Sequence, residues 1–288
     1  MRPIGDRLPH LAATLLLPIA LIGTLLLVTT PTVMAQDISR YVRYEAGGAT
    51  HHGLVDGPTV HRLDGDFLTG GSPDGTTIPL ADVRLRPPVV PGKIVAVGLN
   101  YASHLGDRKA PGEPGLFAMY PSAIVGPGDD IVPPPDASPV HFEGELVLVM
   151  GRRASRVAVG DALGHVFGVT AGNDITERSW QRNDLQWVRA KSSDTFAPIG
   201  PAVVTGLAFE DLLLRTRLNG EVVQEGRTSD LLFGMPEIIA YITRFVTLEP
   251  GDLVFTGTPG TTCGMHEGDV VEVEIEGVGV LRNTLRPG

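Results

Sequence analysis

The run Phe142-Glu143-Gly144-Glu145-Leu146-Val147-Leu148-Val149-Met150 sets two carboxylates directly ahead of an apolar stretch. A strand sends alternate side chains to opposite faces, so Glu143 and Glu145 share one face while the residues after them enter a core. Two carboxylates at that spacing repel each other. A fold that accepts them has to place something positive between them, either a hard cation bound by oxygen or a pair of basic side chains. Asp174, in Gly172-Asn173-Asp174, follows an expected strand over residues 166–171 and supplies a third candidate ligand. Three carboxylates suit Mg2+ or a similar ion that keeps water-filled positions. The plainer alternative is two Glu on a solvated strand face.

The start of the chain reads differently. Arg2 and Arg7 precede an almost wholly apolar run over residues 11–28, and Val33-Met34-Ala35 before Gln36 resembles a small-residue cleavage site. This is the layout of a secretory signal peptide over residues 1–35, and it implies an exported protein, periplasmic or secreted after cleavage near Ala35-Gln36. The run is also about long enough to span a bilayer, which leaves an N-terminal membrane anchor as the alternative. The remainder can bury a full core, with residues 36–90 as a small N-terminal β-rich domain and linker and residues 91–288 as the main domain. The formal charge of −10 makes the chain a poor partner for nucleic acid, and an anionic substrate would need a local cation. Cys263 is the only cysteine, so no internal disulfide can form.

Residues 38–89 read as short strands such as Tyr41-Val42-Arg43-Tyr44 alternating with Gly-rich turns. His51, His52 and His61 lie there without metal-ligand spacing. A Pro-rich linker over 86–92 leads to a strand over 93–99. Residues 106–115, rich in Gly, Pro and charge, form no regular element and suit a mobile lid. A second Pro-rich loop, 132–139, leads into the Glu pair. Helix signals cover 174–188, with Asn173 or Asp174 as cap. Asn219-Gly220 predicts a hairpin turn, Pro236 starts an amphipathic helix to residue 245, and Val271, Val273 and Ile275 alternate with Glu as a half-buried strand. Many short strands and few helices predict a β-rich α+β fold.

Four further groups can carry chemistry. On a helix from Asp174, Arg178 and Gln181 stack on the same face, ready to grip a ligand carboxylate or carbonyl; an ordinary Asp174/Arg178 surface pair is the alternative. Lys191, between two apolar stretches, can bind an oxyanion or keep a carbonyl polarised. His104 has Asp107 three residues on, a spacing that in a helical turn lets the carboxylate fix the tautomer while the imidazole takes a proton from water. Thr258 and the backbone N–H groups around it can meet a ligand carboxylate. The absence of a Rossmann-type Gly run and of Cys/His clusters argues against nucleotide cofactors and zinc.

Taken in order, the strings V-G-L-N-Y-A-S-H at 97–104, P-S-A-I-V-G-P-G-D at 121–129, H-F-E-G-E-L at 141–146, N-D-I-T-E-R-S-W-Q at 173–181, A-K-S-S-D-T-F-A-P-I-G at 190–200 and F-T-G-T-P at 255–259 resemble the fumarylacetoacetate hydrolase family. The resemblance implies a mixed β-roll C-terminal domain with a small N-terminal domain, a homodimer, and Mg2+ or Mn2+, with Ca2+ also admissible. It implies Glu143, Glu145 and Asp174 as metal ligands and His104 with Asp107 as the water-activating pair. Lys191 becomes the metal-site lysine, and Arg178, Gln181 and Thr258 become substrate contacts. The expected activity is metal-dependent hydrolysis of a carbon–carbon bond in a small 1,3-diketo or 2-oxo acid. Tautomerisation, decarboxylation, hydration, a ureido-acid lyase reaction and non-catalytic carboxylate binding are the alternatives. The chain departs from the family pattern at Asp107, where Glu is common, at Met119, which replaces a Lys, and at Thr261-Thr262-Cys263 after the T-G-T-P turn.

Overall fold

Alternating β-branched, aromatic and polar residues build the first strands in the computed structural model, which describes residues 37–288. The expected signal peptide and its cleavage site lie outside the described residues. Strands β1 (Ser39–Ala46), β2 (Ala49–Asp56), β3 (Thr59–Leu63), β4 (Pro73–Pro79) and β5 (Arg84–Arg86) come first. After the Pro-rich linker come β6 (Ile94–Gly98), β7 (Gly115–Met119), and two short strands, β8 (Ile124–Val125) and β9 (Asp130–Ile131). Around the carboxylates lie β10 (Val140–His141), β11 (Gly144–Met150), β12 (Val166–Asn173), β13 (Thr176–Glu177) and helices α1 (Arg178–Asn183) and α2 (Val188–Ser192). The rest comprises β14 (Ala197–Thr205), β15 (Leu213–Leu218), β16 (Glu221–Arg227), helix α3 (Met235–Thr243), β17 (Leu253–Phe255), β18 (Gly264–Met265), β19 (Val270–Ile275) and β20 (Gly279–Leu285).

One 12-stranded sheet carries the order β4-β3-β2-β1-β14-β12-β11-β17-β6-β7, with β5 on β1 and β8 on β14. The first four strands join it through β1 against β14, register Ser39↔Thr205. A 5-stranded sheet, β16-β15-β19-β20-β9, and a 3-stranded one, β13-β10-β18, complete the architecture. This is the β-rich α+β fold that the segment pattern predicts.

Strand β11 is central and covered on both faces, so its sequence is continuously apolar rather than alternating. Its period of 2 still shows. Leu146, Leu148 and Met150 pack with Ile238, Ile239 and Ile242 of α3 and with Val273 and Leu281, whereas Val147 and Val149 pack with Ile199, Val203 and Phe255. The Asn219-Gly220 turn forms with both residues at positive φ, 52° and 89°, joining β15 to β16 as a two-residue hairpin.

The helix expected over 174–188 is not continuous. Ile175, Thr176 and Glu177 are extended: the Ile175 N–H donates to the Phe196 carbonyl at 2.9 Å, and Thr176 and Glu177 pair with His141 and Val140. Glu177, not Asn173 or Asp174, caps α1 by accepting the Trp180 N–H. Burial explains the difference. Residues 175–177 are fully buried, and the sheet and the Phe196 carbonyl satisfy their backbone groups where a surface helix would have satisfied them internally.

Candidate active site

Register places the carboxylates together. Gly144 pairs with Asn173 and Glu145 with Gly172, so the end of β12 delivers Asp174 beside the start of β11. Asn173 fastens the join, its Oδ1 accepting the Glu143 N–H at 2.9 Å while the Asp174 N–H donates to the Glu143 carbonyl at 2.8 Å. Glycine separates the two Glu for a steric reason: a Cβ at 144 would lie 2.1 Å from Thr216 Oγ1. Glu143, Glu145 and Asp174 are all buried, and one oxygen from each lies within 4.8 Å of the others.

The basic side chains come from the two short helices. Lys191 of α2, 2% exposed, donates to Glu143 Oε2 at 2.5 Å and to Asp174 Oδ2 at 2.6 Å. Arg178, the first residue of α1, donates through Nη2 to Glu143 Oε1 at 2.5 Å and to Thr262 Oγ1 at 2.7 Å, and through Nη1 to Gln181 Oε1 at 2.9 Å. Arg178 and Gln181 are thus neighbours, but the guanidinium grips a carboxylate of the protein itself.

Each carboxyl answers to its own surroundings. Burial raises Glu143, yet Lys191 and Arg178 outweigh it and hold that group well below the usual carboxylate range. No basic side chain bonds to Glu145: burial, then Asp174 and Glu143, push it well above that range against the weaker pulls of the Gly257 N–H and Lys191. Burial carries Asp174 up to about 7 against the pull of Lys191.

A hard divalent ion fits this set. Lys191 occupies Glu143 Oε2 and Asp174 Oδ2, and the Gly257 N–H occupies Glu145 Oε2 at 2.7 Å. Asp174 Oδ1 is buried with no hydrogen-bond partner among the described residues. An orphaned carboxylate oxygen facing two further carboxylates is the donor chemistry that Mg2+ or Mn2+ takes.

His104 closes a single 3-10 turn, Ala102–His104. Its Nδ1 lies 2.7 Å from the Gly260 carbonyl, which can only accept, so Nδ1 carries a proton and, in the neutral ring, the lone pair falls on Nε2. Nε2 sits 3.5 Å from Glu143 Oε1. The expected His104/Asp107 pair does not form. Gly106 takes φ 57°, which ends the turn before it reaches Asp107 and leaves that side chain exposed. A backbone carbonyl does the orienting instead.

Thr258 lines the cavity, but its hydroxyl is already engaged: it donates to the Gly144 carbonyl at 2.8 Å and accepts from Gln224 Nε2 at 2.9 Å. Sequence reading missed four participants. His141 Nδ1 lies 2.9 Å from Thr262 Oγ1, and burial followed by Arg178 brings this imidazole down to about 4, so it is neutral. Thr262 steadies Arg178. Asn100 donates to the Thr256 and Phe233 carbonyls, and Gln224 reaches in from β16. The one available signal was a polar side chain inside an apolar strand end, as at Asn100. The site opens into a cavity of about 610 Å³ walled on one side by Phe117 and Trp187.

Residues 93–286 match the model of the fumarylacetoacetate (FAA) hydrolase C-terminal domain, and residues 39–88 match the Rv2993c-like N-terminal model. The chain is 46% identical to protein Rv2993c of Mycobacterium tuberculosis over 214 residues, 73% of this chain and 81% of that protein. It is 41% identical to the mitochondrial oxaloacetate tautomerase FAHD2A of Bos taurus over 221 residues, 72% of this chain and 70% of that one. The crystal structure of 5-carboxymethyl-2-hydroxymuconate delta-isomerase from Mycobacterium smegmatis superposes with a TM-score of 0.82 at 39% identity, covering 86% of this chain and 100% of that chain. In sequence and in fold, this chain belongs to the fumarylacetoacetate hydrolase family.

Proposed function

We propose that this chain is a divalent-metal-dependent enzyme that interconverts the keto and enol forms of a small 2-oxo acid. Glu143, Glu145 and Asp174 would hold Mg2+ or Mn2+, which when bound polarises the oxo acid and lowers the free energy of its enolate. His104 Nε2 accepts the proton from the carbon next to the carbonyl and returns it to the enolate oxygen, so no atom is gained or lost. The Gly260 carbonyl keeps the imidazole in the tautomer that this step needs. Lys191 offsets the negative charge gathered around the reacting oxygens.

The observation that carries this reading is the neutral partner at His104 Nδ1, the Gly260 carbonyl. A base that holds a water proton through a hydrolytic cycle gains from a carboxylate behind it. A base that hands one proton between two atoms of the same substrate needs its free nitrogen fixed, and the bond from Nδ1 to the Gly260 carbonyl would make that nitrogen Nε2. Relatives named as a tautomerase and a delta-isomerase support the same choice. Carbon–carbon hydrolysis is the second reading, favoured by a cavity of about 610 Å³, which has room for a water beside a small acid.

The test follows the enol absorbance of oxaloacetate and of acylpyruvates with purified chain, with Mg2+ or Mn2+ and then with chelator. Proton NMR in D2O identifies the products. Metal-dependent keto–enol exchange, reduced about 100-fold or more in His104→Ala, is the expected result. Two acid products from an acylpyruvate would establish hydrolysis instead, and exchange unaffected by His104→Ala would remove the imidazole from the mechanism.

A further inference from the structure

Gln224 lies on β16, in a hairpin that contributes none of the carboxylates, yet it is 3% exposed and bonded to both halves of the site. The Gly144 N–H donates to Gln224 Oε1 at 3.2 Å. Gln224 Nε2 donates to Thr258 Oγ1 at 2.9 Å and to the Pro259 carbonyl at 2.6 Å. The Thr258 hydroxyl then donates back to the Gly144 carbonyl at 2.8 Å, and the ring is closed. Only one amide orientation satisfies it. Reversed, the NH2 would face the Gly144 N–H and the oxygen would face the Pro259 carbonyl.

Two consequences follow from where this ring sits. The N–H and C=O of Gly144 belong to the two peptide planes that join it to Glu143 and Glu145. Fixing both planes fixes the directions in which those side chains leave the backbone. Glycine has no Cβ to restrict itself, so an external restraint matters more there than at other residues. On the other side, the anchored Pro259 carbonyl immediately precedes Gly260, whose own carbonyl orients His104. A single side chain therefore reaches the carboxylate pair and the imidazole at once.

We propose that Gln224 is a positioning residue that couples the two halves of the site, setting the pitch of Glu143 and Glu145 and the carbonyl that holds the His104 tautomer. This inference rests on the metal-site reading above for its first half and is independent of it for its second. It also reassigns Thr258. With its proton committed to Gly144, the Thr258 hydroxyl can accept from a ligand but cannot donate to one.

The test uses the full chain with Gln224→Met, which keeps length and volume while deleting all three bonds, and with Gln224→Glu, which keeps only the acceptor for Gly144. Fold is followed by far-ultraviolet circular dichroism, Mn2+ affinity by calorimetric titration, and the His104 ring by its 15N shifts in chelator. Gln224→Met should bind Mn2+ about 10-fold to 100-fold more weakly, the range typical for loss of a partner behind a metal ligand. It should also mix the His104 tautomers. Adding Thr258→Val to it should weaken Mn2+ binding by less than Thr258→Val does alone, because the ring that couples the two is already open. A folded Gln224→Met with parental Mn2+ affinity and parental His104 shifts would overturn the inference, as would an additive loss in the double variant. Should Gln224→Met fail to fold, unchanged His104 shifts in Gln224→Glu would overturn it equally. If the parent itself binds no Mn2+, the metal reading fails, and the His104 shifts alone decide the role of Gln224.

Discussion

Lys191→Met tests whether the electrostatics of the site are as the geometry implies. The ammonium, 2% exposed, joins Glu143 and Asp174 at 2.5 and 2.6 Å. Removing one member of a buried ion pair typically costs about 3–5 kcal/mol, because the other charge is left uncompensated. Two features reduce that figure here. Glu143 keeps Arg178 at 2.5 Å, and Asp174, raised to about 7 chiefly by burial, can take up a proton near neutral pH at little expense. We therefore expect a loss of about 2–3 kcal/mol at pH 7 in chelator. For a chain of this size that is a fall in Tm of roughly 4–12 °C, at about 2–4 °C per kcal/mol. Its pH dependence carries the sign. Without Lys191 the folded-state pKa of Asp174 rises further, and a carboxyl whose folded pKa lies above its unfolded value loses stability as pH increases through the folded pKa. Between pH 7 and 9 the variant binds more protons than the parent in the folded state, so its deficit should widen by up to about 1.4 kcal/mol per pH unit. Urea unfolding of both proteins at pH 6, 7, 8 and 9 measures this directly. A deficit below about 1 kcal/mol at pH 7, or one flat from pH 7 to 9, would show that Lys191 does not neutralise Asp174 in solution.

Two further outcomes can be checked on the same material. Asp174 sits at about 7, and Glu145 is raised well above its ordinary range by burial and by the other two carboxylates. A cation must displace those protons, so apparent Mn2+ affinity should rise with pH by about tenfold per unit for each proton released; calorimetry in two buffers of different ionisation enthalpy counts them, and an affinity independent of pH between 6 and 8 would contradict the assignment. Asn100→Leu should lower stability by about 2–4 kcal/mol, because Asn100 accepts the Phe233 N–H and donates to the Phe233 and Thr256 carbonyls in a 1%-exposed position; urea unfolding reads it, and a loss below about 1 kcal/mol would mean that those backbone groups find other partners.

Where neighbours in sequence decide the structure, the sequence was readable. The Asn219-Gly220 hairpin, the amphipathic α3 and the half-buried β19 each carry a local pattern whose period matches the element formed. Glu143 and Glu145 were legible because a strand period fixes their common face. Asp174 was legible as a ligand candidate from its place just after an expected strand, and the β11–β12 register and the Glu143 carbonyl set it there; the helix expected to stack Arg178 and Gln181 behind it does not start at Asp174. Asp107 failed as a partner because an i,i+3 rule presumes that the helix continues, and Gly106 at positive φ stops it. Gln224 and Thr262 were not legible at all. Their partners lie 80 and 84 positions away, at Gly144 and Arg178, and no local spacing encodes contacts made across the fold between elements far apart in sequence.

The opening pair of carboxylates demanded either a cation or two basic side chains, and the structure meets the demand only in part by the second route. Lys191 and Arg178 both converge on Glu143, which holds that group well below the usual carboxylate range. Glu145 receives one backbone N–H, from Gly257, and a weaker pull from Lys191, and otherwise faces burial and like charge. The two basic side chains thus serve Glu143 and, through Lys191, part of Asp174, and the remaining charge must be met by protons or by an ion. With the proposed metal ion, the two would compete for the same oxygens at neutral pH. Metal affinity, stability and pH are therefore one linked quantity in this chain, and a substitution that relieves Glu145, such as Glu145→Gln, trades metal binding for stability in chelator.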